Sequence, residues 1–423
     1  MDRNEYLEIV AAQIRCKRAI PYLKEELEDH IQDQKDAYIA EGMNSFEAEM
    51  KAVKEMGDPV ETGVQLDMVH RPKMEWRVLV GVFAMSLVGI LIQMLILKGH
   101  APDSSFFWYM HVMRRQLWGI AAGAFIMLAI CYLDYTVLIK WSFQIWLILE
   151  VLIIYLSLCG VTINGRSYRA MHVAYFLFPF LICLFYKYRS EQWKGLIKSL
   201  GCLLVSVFTI FIIPDMASAV TLAASGMFVI TITIHKQWYG IDRKKAYIGI
   251  WGGAAVLAGS LLVWITQRGA EYQIHRLKAW LSGEPGDFMI GHIREIVGIV
   301  KAGNAMDETL FETVRNDYLW TYLFEYLGTW KGISLMVLFF AFMTVIFMAV
   351  LKQKNRLGCV MGIGCIIYVS IQAALYMSSN FCIVPIAGNY MPFFSNGITP
   401  TVVTYFYMGI LLSIFRNTNV VRN

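Results

Sequence analysis

From Trp76 onward the chain alternates long apolar stretches with mostly short polar connections. Ten stretches, near 77–97, 117–137, 141–159, 171–186, 196–213, 216–234, 246–266, 333–351, 357–378 and 398–415, are long enough to cross a bilayer, which takes about 17 to 25 mostly apolar residues. The first 70 residues follow another rule. There the apolar positions Tyr22, Leu23, Leu27, Ile31, Tyr38 and Ile39 recur at helical spacing, and Pro21 suits a first helical turn. A second helix start is written in "GMNSFEAEMKAVKEMGDP": Asn44 or Ser45 can cap, Glu47 stands where a capping box wants it, and Gly57 with Pro59 ends the run. The pattern predicts an all-α protein, a ten-span polytopic helix bundle behind three or four short soluble helices that end near His70.

Composition divides the chain at the same place. It is 57% hydrophobic and 16% charged, where a soluble protein carries about 25% charged residues. Residues 1–75 hold 17 of the 32 acids but only 10 of the 37 bases, so an acidic soluble domain, 1–75, precedes a basic, apolar one, 76–423. The start "MDRNEYLEIV" has no basic region followed by an apolar one, which predicts a cytoplasmic N-terminus. An even number of spans puts the C-terminus on the same face. The connections expected on that face, with the tail, carry 13 Lys and Arg, and the short connections opposite carry five, the bias that holds a loop in the cytoplasm. The "ELEDHIQDQKDAYIAEGMNSFEAEMKAVKEMGDP" stretch, with Gly42, Ala48, Ala52, Met56 and Gly57, resembles the permease prefix domain that precedes membrane domains in many Firmicutes proteins. On its helical pattern alone this head reads as a small interaction or regulatory module without chemistry.

Several classes of chemistry are disfavoured. Cys131, Cys183, Cys202, Cys359 and Cys365 sit inside apolar runs without CxxC spacing and read as small packing residues, and the eight histidines form no HxxxH or HExxH pair. No P-loop or dinucleotide fingerprint occurs, and nothing points to nucleic acid. What stands out is the connection 267–332, predicted outside the membrane, long and rich in Arg, Glu, Asp, Trp and Tyr. Long ordered loops are usually functional, and this one is expected to fold onto the bundle and line a cavity. Within it "FETVRNDYLWTYLFEYLGTWKG" sets Asp317 and Glu325 around an aromatic-rich amphipathic helix, with Arg315 two residues ahead of the aspartate. A carboxylate at an apolar boundary suits a general base; the plainer reading is a solvated carboxylate at a helix start. Asp215, after Pro214 at a span boundary, is either a functional intramembrane carboxylate or the cap of the sixth span. Glu150, inside the third span, has no motif behind it.

Taken in order, the short motifs resemble the SEDS family (shape, elongation, division and sporulation), which includes FtsW, RodA and SpoVE. "NDYLWTYLFEYLGTWKG" lines up with the family's TDFIFxxxGEExGxxG through Asp317, Glu325, Gly328 and Gly332, and "NGRSYRA" resembles NGAxRW through Asn164, Gly165 and Arg166. "IPDMASAV" resembles QPDxGTA through Pro214 and Asp215. "YQIHRLKAWLSGEPGDFMIGH" resembles the segment opening the large loop through Tyr272, Gln273, Arg276, Asp287 and Gly291. "VPIAGNYMPFFSNG" resembles LPVTGxPLPFxSxG through Pro385, Gly388, Pro392, Phe393, Ser395 and Gly397. The chain departs from the family in reading "MHVAYFLF" in place of QPSE and its lysine, and "SNGITPT" in place of SYGGSS.

The resemblance implies a peptidoglycan glycosyltransferase that polymerises lipid II, an undecaprenyl-linked disaccharide, at the outer face of a bacterial cytoplasmic membrane during division, elongation or sporulation. It implies Asp317 as catalytic residue and Arg276, Arg166, Arg315, Asp215, Glu325 and Ser395 as substrate contacts. The arginines suit a pyrophosphate because their planar fork pairs with two oxygens at once, although snorkelling to the interface explains them equally. A class B penicillin-binding protein is the implied partner, and a divalent cation, Mg or Mn, is left open as cofactor. The missing QPSE segment keeps two alternatives in view, a catalytically degenerate regulator or scaffold of wall synthesis and a lipid-precursor flippase.

Overall fold

The computed structural model describes residues 1–17, 19–72, 74–100, 106–159, 168–213, 215–268, 271–282 and 288–418. Among them every regular element is a helix, and the chain separates into two compact units: Met1–Glu75 with the short segments Gln353–Arg356 and Ile414–Asn423, and the remainder from Trp76 to Ser413.

The N-terminal unit holds α1 (Arg3–Gln13), α2 (Ala19–Ala40), α3 (Ser45–Glu55) and α4 (Pro59–His70). Its core gathers Tyr6, Leu7, Val10, Leu23, Ile31 and Val53. Of the two capping candidates Asn44 takes the role, its Oδ1 accepting from the N–H groups of Phe46 and Glu47 at 2.9 Å. Asp58 caps α4 ahead of Pro59 at the first helical position, where a missing N–H costs nothing. The corner between α1 and α2 is tied to α4 by the buried Asp67, which accepts from the Arg15 N–H at 2.9 Å.

The larger unit runs through α5 (Trp76–His100), α6 (Phe106–Tyr132), α7 (Val137–Cys159), α8 (Tyr168–Ala174), α9 (Leu177–Lys187), α10 (Gln192–Ile212), α11 (Met216–His235), α12 (Arg243–Arg268), α13 (Glu271–Ser282), α14 (Phe288–Ala302), α15 (Glu308–Asn316), α16 (Leu319–Leu327), α17 (Thr329–Leu351), α18 (Arg356–Asn380) and α19 (Ile398–Arg416). Among the described residues nine of these helices are long and apolar enough to span a membrane. The fourth predicted stretch is the exception, because it is broken into α8 and the short α9. Pro179 explains the break: it has no N–H to give the carbonyl four residues back, and that carbonyl, Tyr175 O, accepts instead from the Tyr407 hydroxyl at 2.9 Å.

The long helices divide into inner and outer ones. The apolar stretch of α18 is 78% buried and that of α12 only 11%, so α18, α19, α11 and α9 make the interior while α7, α12 and α17 leave large apolar faces open, as lipid-facing helices do. Gly364 shows how α18 gets so close to α9, since a Cβ there would lie 2.5 Å from Ile182 Cδ1; small residues let helix backbones approach in membranes. An apolar cavity of about 470 Å³ opens between α10, α11 and α12, lined among others by Leu203, Val207, Ala223, Gly253 and Leu257.

Candidate active site at the helix 15 to helix 16 break

Most of the described residues of 267–332 are helical, in α13, α14, α15 and α16 between the end of α12 and the start of α17. Asp317 and Tyr318 lie between α15 and α16, where the chain turns. Asp317 is the C-cap of α15, its N–H donating to Thr313 O at 2.7 Å, and its side chain is exposed. It stands directly before the buried run Tyr318, Leu319 and Trp320, and the helix-start role falls to Tyr318, the N-cap of α16. The aromatic helix itself is as expected: Leu319, Trp320, Tyr322 and Leu323 are fully buried.

Two side chains of α18 fix this break. The Tyr376 hydroxyl donates to Asn316 O at 2.9 Å and accepts from the Leu319 N–H at 3.1 Å. Asn380 Oδ1 accepts from the N–H groups of Trp320 at 3.0 Å and Thr321 at 3.2 Å, while its Nδ2 donates to Asp317 O at 2.8 Å. Tyr318 has no capping side-chain bond of its own, so the first turn of α16 is capped from another helix. One turn further back on α18, Gln372 accepts from the Thr221 hydroxyl at 3.2 Å and donates to Tyr390 O at 3.2 Å, and Ser379 Oγ accepts from the Gly388 N–H at 3.1 Å. Gln372, Tyr376 and Asn380 follow one another at four-residue spacing, which puts them on one stripe of the helix.

The "VPIAGNYMPFFSNG" segment carries the second cluster. Asp215 is buried and caps α11 through the Ser218 N–H at 3.2 Å, the structural alternative anticipated for it. Asn389 Nδ2 reaches Ser218 Oγ at 2.7 Å and Asp215 Oδ2 at 3.4 Å. Ser395, also buried, accepts from the Met391 N–H at 2.8 Å and so closes a turn of the loop. Phe393 sits in the left-handed region at φ 67°. Its carbonyl approaches α5 so closely that a Cβ at Gly89 would lie 2.1 Å from it.

The remaining predicted contacts scatter. Glu325 lies in the second turn of α16, half-buried, with its Oε2 3.8 Å from Lys301 Nζ of α14. Arg315 is 3% exposed and its Nη2 donates to Glu312 Oε1 at 3.1 Å. Burial holds its guanidinium below the usual range, the nearby Arg115 charge acts in the same direction, and Glu312 opposes both. Arg276 belongs to α13, although its side chain is outside the description, and Arg166 lies outside the described residues with Asn164, Gly165, Pro214 and Asp287. Among the described residues no group of three or more His, Cys, Asp and Glu gathers that could hold a metal ion.

The α18 stripe went unread in the sequence, although three polar residues at four-residue spacing in an apolar span are a legible signal. Glu150, which has no motif behind it, is buried and accepts from the Ser206 hydroxyl, which itself accepts from Trp146 Nε1 at 2.9 Å.

Comparison with known proteins accounts for this architecture. "Putative peptidoglycan glycosyltransferase FtsW" of Mesostigma viride is 22% identical over 287 residues, covering 62% of this chain and 65% of that protein. "Probable peptidoglycan glycosyltransferase FtsW" of Thioalkalivibrio sulfidiphilus is 24% identical over 286 residues, covering 61% and 68%. The chain thus matches a little under two thirds of the length of the first of these relatives. A solved structure described as the structural coordination of polymerization and crosslinking by a peptidoglycan synthase complex superposes with a TM-score of 0.66 at 16% identity, over 82% of this chain and 98% of that one. The rod shape determining protein RodA of Thermus thermophilus gives 0.55 at 14% identity, over 82% and 97%. The model of the cell cycle protein family of FtsW, RodA and SpoVE matches residues 73–420, which is most of the chain and all of its apolar helices. This multi-pass membrane protein therefore belongs to the FtsW, RodA and SpoVE family.

Proposed function

We propose that the chain polymerises a lipid-linked disaccharide, lipid II or a close relative, at the outer face of the cytoplasmic membrane. The observation that carries this reading is Asp317, an exposed carboxylate at a helix break whose backbone is held on both sides by α18. In glycosyl transfer the attacking sugar oxygen bonds to the anomeric carbon as the bond from that carbon to the lipid-linked pyrophosphate breaks. The lipid pyrophosphate leaves with the electron pair, and the hydroxyl proton must go to a base. Asp317 is the group that takes it. Docked substrate would cover the carboxylate and exclude the water that now reaches it. Arg276 and Arg166 hold the pyrophosphate, and the cavity between α10, α11 and α12 has the apolar lining an isoprenoid tail requires. Both termini face the cytoplasm, a class B penicillin-binding protein is the partner, and residues 1–75 are a separable module without chemistry.

A second reading, a regulator of wall synthesis without turnover, draws on a specific observation: Arg315, Asp215 and Ser395 are buried in the protein's own contacts rather than open to a ligand. Purified protein given fluorescent lipid II, with products resolved on a gel, separates the two. Glycan ladders support the polymerase; bound lipid without polymer supports the regulator.

A further inference from the structure

We propose that Asn380 is the positioning residue of the reaction, setting the place of Asp317 through the backbone; this rests on the reading of Asp317 as the base. The break between α15 and α16 is the point where two helices end and begin, so it carries carbonyls and N–H groups without helical partners. Their satisfaction decides where the chain turns. Asn380 is suited to both kinds, because a primary amide donates from Nδ2 and accepts at Oδ1. Nδ2 donates to the carbonyl of Asp317 at 2.8 Å and to Tyr376 O at 3.0 Å. Oδ1 takes the Trp320 and Thr321 N–H groups at 3.0 and 3.2 Å, and the Asn380 carbonyl accepts from the Thr321 hydroxyl at 3.0 Å.

Asn380 is 2% exposed and stands on α18, the most deeply buried of the long helices. The residue touching the Asp317 backbone is thus buried at the end of that helix, while Asp317 itself is exposed. Tyr376, one turn earlier, holds the flanking Asn316 carbonyl and Leu319 N–H with one hydroxyl. Glycosyl transfer needs the carboxylate within hydrogen-bond reach of the sugar hydroxyl, and a misplacement of about 1 Å costs on the order of 10²-fold in rate.

The test is a double-mutant cycle on the full chain in detergent, read as kcat and KM for fluorescent lipid II. Asn380→Ala is expected to lower kcat about 10²-fold and leave KM unchanged. In the Asp317→Asn background the same change should have no further effect, because a residue acting only through the base has nothing left to position. Equal losses in both backgrounds would overturn the proposal, as would a wild-type kcat for Asn380→Ala while Asp317→Asn is inactive. Should Asn380→Ala fail to fold, Asn380→Asp keeps an acceptor for the two N–H groups of α16 but loses both donations, to the Asp317 and Tyr376 carbonyls, and sets an acceptor oxygen against them. It is expected to show the same fall in kcat, and wild-type turnover there would count against the role. An Asp317→Asn protein of full activity would instead remove the base assignment itself.

Discussion

Asp317 and Arg315 are two residues apart, yet their surroundings assign them different work. The aspartate is exposed at a helix break, whereas the guanidinium is buried beside Glu312. Replacing Arg315 by Ala is accordingly expected to show in unfolding, with a loss of about 1–3 kcal/mol, and to leave lipid affinity nearly unchanged. Replacing Arg276 by Ala should do the reverse, weakening lipid binding because an anion loses a bidentate partner while the melting temperature holds. Binding and thermal unfolding measured on both variants check the pair; equal effects on affinity would contradict it. The order of the motifs made Asp317, Asp215 and Ser395 legible as marked positions. What holds each residue was not legible, since the Asp215 carboxylate answers to Asn389 and the Asp317 backbone carbonyl to Asn380, contacts over 174 and 63 residues of chain.

Helix positions followed approximately from pattern: the ten apolar stretches correspond to α5–α12 and α17–α19, with α6 starting and ending earlier, at Phe106–Tyr132, than the stretch 117–137, and Asn44, one of the two cap candidates, starts α3. The divided fourth stretch was recorded in the sequence too, in Pro179, but reading it required knowing where the freed carbonyl would find a donor. That donor is Tyr407, far along the chain on α19. In a bilayer no water replaces it. Tyr407→Phe is therefore expected to destabilise the protein by about 1–3 kcal/mol in a detergent unfolding assay, with the ring's packing preserved; an unchanged unfolding midpoint would remove the hydroxyl from the account of the broken span. The capping of α16 by α18 belongs to the same scale, and pairwise spacing within α16 gives no sign of it.

At the scale of the whole molecule, charge bias and span number combine into an orientation. A cysteine probe replacing the exposed Asn304, in the 267–332 segment, should react with an impermeant reagent in intact cells, and one replacing Lys244 only after permeabilisation; the opposite result would invert the topology. The acidic first unit has its own core and its own caps, which is why deleting residues 2–70 is expected to leave turnover in detergent intact while changing abundance or partner binding. A stable truncation without turnover would contradict that separation. If this chain makes glycan with Asp317 as the base, the comparison that shows it is the polymerisation rate of Asp317→Asn against wild type on fluorescent lipid II, with lipid binding measured on the same samples. General-base assistance is typically worth about 10²- to 10⁴-fold, so a fall of that size with binding retained is the predicted result. Polymerisation by Asp317→Asn at the wild-type rate would contradict it.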